Sequence, residues 1–227
     1  MKFLIVLALC VAVSAALRPV IKRVPWLFYL LAFGMVALFV ASSYIDMPRE
    51  LWSTIFYLMQ KCALSVAMFV LVMFIGVFPQ GSPVYNWFKP IRAELSIIAC
   101  ILSLGHVWAY LDSYMPRILA GASLNTNVAI SFGLGAVVFA LLVVLGVTSI
   151  KAIKARMTPA AWTNLQKFAY LFFVLIYAHL FVMLSLAAFR GGEAAMVNLA
   201  VYSVIFVLYI VLRVYRFMAD KKAKAQA

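Results

Sequence analysis

Charge is what this 227-residue chain has least of: 11% of its residues are Asp, Glu, Lys or Arg, where soluble domains carry about 25%. It has 6 acidic residues, 2 histidines and 3 cysteines. With 68% hydrophobic residues and a mean hydropathy of +1.11, that shortage excludes a soluble globular domain. Strand-length stretches of alternating polarity are missing, which excludes an outer-membrane barrel. Cys10, Cys62 and Cys100 all fall in apolar stretches without metal-ligand spacing and read as small packing residues. No repeat, low-complexity tract or stretch suited to a soluble domain is visible, so nucleotide or flavin chemistry is expected on another polypeptide.

What the chain does have is apolar runs, at about 2–17, 26–45, 54–77, 93–111, 128–149, 162–188 and 195–215. Most reach the roughly 20 residues that a spanning helix needs, so the expected fold is all-α: a polytopic membrane bundle of about seven transmembrane helices in contact with lipid. The net charge of +13 does not point to nucleic acid, because the cations gather in alternate connections and report orientation instead. The first connection holds Arg18, Lys22 and Arg23, the third Lys89 and Arg92, and the fifth Lys151, Lys154 and Arg156. The tail adds Arg213, Arg216, Lys221, Lys222 and Lys224, whereas the second, fourth and sixth connections are nearly neutral. The positive-inside bias therefore predicts a multi-pass protein of a cell membrane of the bacterial inner-membrane kind, with its N-terminus outside and C-terminus in the cytoplasm. The expected organisation is an N-terminal helix over 1–24, the main membrane domain over 25–217 and a basic cytoplasmic tail over 218–227. Val13-Ser14-Ala15-Ala16 looks like the end of a cleavable signal, but Arg18, Lys22 and Arg23 follow at once and resist translocation. A retained first helix is expected.

The two histidines, His106 and His179, both lie inside apolar runs. An ionisable side chain at membrane depth is costly and faces a bundle interior, a cavity or a cofactor. His106 comes 13 residues after Ala93 and His179 17 residues after Trp162, which is about 20 Å and about 25 Å of helix. Both spans run in the same direction, so both side chains fall in the outer half of a core roughly 30 Å thick. A lone transmembrane His more often simply bonds a neighbouring helix. Two at matched depth favour a shared ligand. Zinc needs four ligands and no such set converges; haem needs only two axial nitrogens and an apolar slot. Haem also brings two propionates, for which Lys61, Arg117 and Arg190 are the outer-side cations. Each has a plainer reading, Lys61 as a snorkelling side chain and the arginines as loop charges. Trp108, Tyr110 and Tyr177 read as bundle packing or interfacial aromatics.

From about Arg92 to Arg190 the chain resembles the ferric reductase-like transmembrane domain family. Arg92-Ala93-Glu94-Leu95-Ser96 leads into Gly105-His106, and Val147-Thr148-Ser149 closes the next span. Trp162-Thr163-Asn164-Leu165-Gln166-Lys167-Phe168-Ala169-Tyr170 then precedes Ala178-His179. The family includes the membrane parts of ferric reductases and NADPH oxidases and the haem b subunit of bacterial periplasmic methionine sulfoxide reductase. The resemblance implies one haem b with His106 and His179 as axial iron ligands, in a ferric reductase-like core preceded by an extra helix. Members with two stacked haems carry a second histidine on each of these helices; here those places hold Arg92 or Ala93, and Gln166. Gln166 is left to a hydrogen bond within the bundle or to the wall of a quinone or flavin pocket.

The expected function is a haem b electron carrier that takes electrons from a quinol or reduced flavin. It would pass them to an extracytoplasmic acceptor, either a redox partner protein or ferric iron. A transporter would use the intramembrane histidines differently, but the sequence lacks deep carboxylates and paired Gly or Pro breaks in matching halves. A cofactor-free anchor or assembly subunit of a redox complex is the third reading.

Overall fold

The computed structural model describes residues 2–226, and every regular element among them is helical. Twelve α-helices follow in order: α1 (Lys2–Ala16), α2 (Arg18–Arg23), α3 (Pro25–Ala41), α4 (Arg49–Met59), α5 (Ala63–Phe74) and α6 (Pro83–Phe88). Then come α7 (Arg92–Leu119), α8 (Thr126–Ser149), α9 (Lys151–Lys154), α10 (Pro159–Gln166), α11 (Phe168–Phe189) and α12 (Glu193–Ala225). Local chemistry sets many of the ends. Prolines open α3, α6 and α10, where a missing N–H costs nothing. Ser82, Asn125 and Thr158 cap α6, α8 and α10 through side-chain oxygens. Gly121 and Gly191, at φ 75° and 85°, turn the chain after α7 and α11 in a conformation that L side chains resist.

Four stretches are long and apolar enough to cross a bilayer: Pro83–Leu119, Thr126–Val147, Pro159–Phe189 and Glu193–Ala223. A fifth is broken, with α4 and the stretch from Ala63 to Val77 meeting at 42°. The remaining two apolar helices, α1 and α3, have 15 and 17 residues, or about 22 and 25 Å at 1.5 Å per residue, less than the hydrocarbon core. All seven apolar runs are thus helical, but four or five meet the length of a span rather than seven. At the other extreme, α7 passes beyond the expected limit near 111 and through Pro116, and α12 continues through the basic tail.

The bundle is built around α5, where Ala63 and every residue from Ser65 to Met73 are buried. A helix apolar on all sides belongs in an interior. It packs against α1 and α7; α7 in turn packs on α3 and α8, and α11 bridges α8 and α12. Small residues permit the closest approach: a Cβ on Gly146 of α8 would stand 2.9 Å from the Cys100 sulfur of α7.

Contacts tie the basic connections to one end of the bundle. Arg18 and Ala15 bond Trp87, Lys151 pairs with Glu94 at 3.0 Å, and Arg213 donates to the carbonyl of Gly76. Glu94 is buried, but its partner is exposed at this same end. The neutral connections after α3, α7 and α11 lie at the opposite end.

Candidate functional site

The site sits toward the neutral-loop end, where α4, α5, α7, α8, α11 and α12 surround two adjoining cavities of about 260 and 450 Å³. Both cavities are lined by His106 of α7 and His179 of α11. The two ring centroids lie 6.1 Å apart, with their planes at 82°. Depth matching along two parallel helices brought them to the same level, and the small Gly105 and Ala178 precede them in each helix.

Each ring is fixed through its Nδ1. That of His106 lies 2.6 Å from the backbone oxygen of Gln60, and that of His179 lies 3.0 Å from the backbone oxygen of Ser131 and 3.1 Å from its hydroxyl. A carbonyl oxygen only accepts, so each Nδ1 must carry the proton and donate. In a neutral imidazole that leaves Nε2 with its lone pair, the form that binds metals. Neither Nε2 has a hydrogen-bond partner among the described residues. Two imidazoles on one metal, each bonded at about 2 Å, hold their ring centroids about 6 Å apart. The observed spacing has that value.

The Gln60 carbonyl is available because the span is broken beside it. In a continuous helix it would accept from the amide four residues on. Here α4 ends at Met59 and α5 begins at Ala63, with Cys62 between them at φ 55°. The break contains neither Gly nor Pro, and Lys61 is its one mark in the apolar run. It has no counterpart in another span among the described residues. On α8, Gly135 passes close under His179: a Cβ there would stand 3.4 Å from Cε1 of the ring.

Of the cations singled out from sequence, Lys61 lies at the helix break and lines the larger cavity. Arg117 lines neither cavity; it sits over Tyr114, 5.8 Å from the ring centroid, and Tyr114 lines the smaller one. Arg190 is exposed at the end of α11 and lines neither. Gln166 stands well away, donating to the Thr148 hydroxyl at 3.4 Å, while Trp162 donates to the Thr148 carbonyl. These contacts close the corner between α8 and α10. Tyr110 lines both cavities, 4.7 Å from the His106 ring. Tyr177 shares a hydrogen bond with Ser203, and Trp108 is exposed. Sequence reasoning missed Gln60, Ser131 and Gly135, which act through main chain or through a missing side chain.

No group of three or more His, Cys, Asp or Glu side chains is placed to hold a metal ion among the described residues. The donor set is therefore two imidazoles in an apolar slot, too few for a structural zinc and suited to a metal whose other ligands come with it.

Residues 61–177 match the family model for the ferric reductase like transmembrane component. An uncharacterized protein of Treponema pallidum (strain Nichols) is 34% identical over 163 residues, which are 71% of this chain and 45% of that protein. The match thus spans less than half the length of that relative. No solved structure matches the chain.

Proposed function

The chain belongs to the ferric reductase-like transmembrane family, and on that premise we propose that it is a haem b electron carrier with His106 and His179 as axial ligands. The membrane-embedded helices and the family together support a role in membrane electron transfer. The observation that supports the finer reading is the pair of imidazoles at one level, each anchored at Nδ1, with centroids 6.1 Å apart.

Haem b would supply a one-electron couple between ferric and ferrous iron. The protein's own residues do the rest. The carbonyls of Gln60 and Ser131 fix the tautomer and direction of the two rings and raise their basicity as ligands. Phe139, Met183 and Val107 wall both cavities and keep water from the rings. Haem held by both His106 and His179 would have no place left for a substrate at its metal, which favours electron carriage over catalysis. The donor is a quinol or reduced flavin and the acceptor an extracytoplasmic redox protein or ferric iron.

Purified protein should show the sharp reduced α band of low-spin haem b, with one haem per chain by pyridine haemochrome. His106→Ala and His179→Ala should each abolish that spectrum. Variants that keep it would refute the ligand assignment. The broken span favours a second reading, since discontinuous helices line transport sites. A colourless preparation that drives solute flux in proteoliposomes would establish it instead.

A further inference from the structure

The two cavities differ in chemistry. Between α7 and α8 the smaller is walled by apolar and aromatic side chains, with Ser131 as its hydroxylic exception beside two tyrosines. The larger ends in a polar wall formed by Gln60, Lys61, Asn198 and the first turn of α12 at Ala194 and Ala195.

Four features of that wall suit an anionic group. Lys61 is the one cationic side chain lining either cavity, and no carboxylate pairs with it among the described residues. The opening amides of the 33-residue α12 lack intrahelical acceptors, and Gly192 supplies no side-chain cap. Asn198 follows Ala194 by four residues and so shares its face. The side-chain oxygen of Gln60 is buried with no hydrogen-bond partner. Such an orphan is costly unless a ligand completes it, and an amide can turn either end toward that ligand. Glu193 opens the same helix but does not line the cavity.

We infer that this polar wall anchors the carboxylates of the prosthetic group, with Lys61, Asn198 and the first turn of α12 as the binding elements, while the apolar cavity between α7 and α8 takes its uncharged edge. The inference rests on the haem reading and adds an orientation to it. A carboxylate at this depth needs compensating charge and donors, and only the larger cavity has a cation in its lining. Arg117 and Arg190 are not needed as anchors.

The test uses full-length protein from haem-starved cells, titrated with haem b or with its dimethyl ester and followed by the Soret band. In wild type the ester should bind about tenfold more weakly than the free acid, the scale of one charge-assisted hydrogen bond. Lys61→Met should weaken the free acid by a similar factor and leave the ester unchanged; Asn198→Leu should act in the same direction, and Lys61→Arg should restore discrimination. Equal weakening of acid and ester in Lys61→Met, or weakening of neither, would overturn the inference. Wild type that binds neither form would instead remove the haem reading on which it rests.

Discussion

At the residue scale, the histidines are set by atoms that carry no side-chain signature. A main-chain carbonyl holds each ring, so replacing Ser131 by Ala removes one hydroxyl and leaves the principal acceptor in place. Ser131→Ala should therefore keep its haem spectrum, with affinity lowered by only a few-fold, in keeping with about 1 kcal/mol for one hydrogen bond. Gly135 is the stricter position. Gly135→Ala places a Cβ in ordinary contact with the His179 ring and should be tolerated. Gly135→Leu would fill part of the cavities that Gly135 lines and should yield folded but colourless protein, read as the ratio of Soret to protein absorbance. The sequence made the two histidines legible because ionisable groups are rare in apolar runs. It hid Gln60, Ser131 and Gly135, because a carbonyl contact or the absence of a Cβ leaves no pattern.

At the element scale, the broken span is the feature that hydropathy could not reveal. Averaged over a window, 54–77 reads as one apolar run with Lys61 as an interruption; the fold resolves it as two helices meeting at Cys62. The left-handed conformation there costs an L residue about 1–2 kcal/mol, and glycine escapes most of that cost. Cys62→Gly should hold the break and the pigment, whereas Cys62→Val should lose both stability and haem, seen as a lower thermal midpoint and a diminished Soret band. The α7–α8 crossing gives an independent check. Gly146→Ala drives a Cβ against the Cys100 sulfur and should destabilise by about 1–3 kcal/mol in detergent unfolding. Cys100→Ala in the same chain should recover most of that loss. Helix existence was legible throughout, since every apolar run is helical. Helix length was not: α7 continues past Asp112 and Pro116, and α12 past its basic residues, because a helix need not end where a hydrophobic core does.

At the scale of the whole molecule, the alternation of basic and neutral connections sorts the bundle into two chemically distinct ends, and contacts such as Arg213 to Gly76 hold the basic one together. The charge bias predicts a cytoplasmic location for that end. Fluorescent protein fused after Ala227 should fluoresce, and alkaline phosphatase fused there should be inactive; a phosphatase inserted at Gly121 should be active. The reverse pattern would invert the topology and put the histidine level on the cytoplasmic side.

Main-chain anchoring of both rings has an evolutionary corollary. Spacing between the imidazoles is inherited from helix placement, so the gap can stay constant while the Ser131 side chain changes. Divergence at that side chain should accordingly be tolerated more readily than any insertion or deletion that shifts the register of α4 or α8.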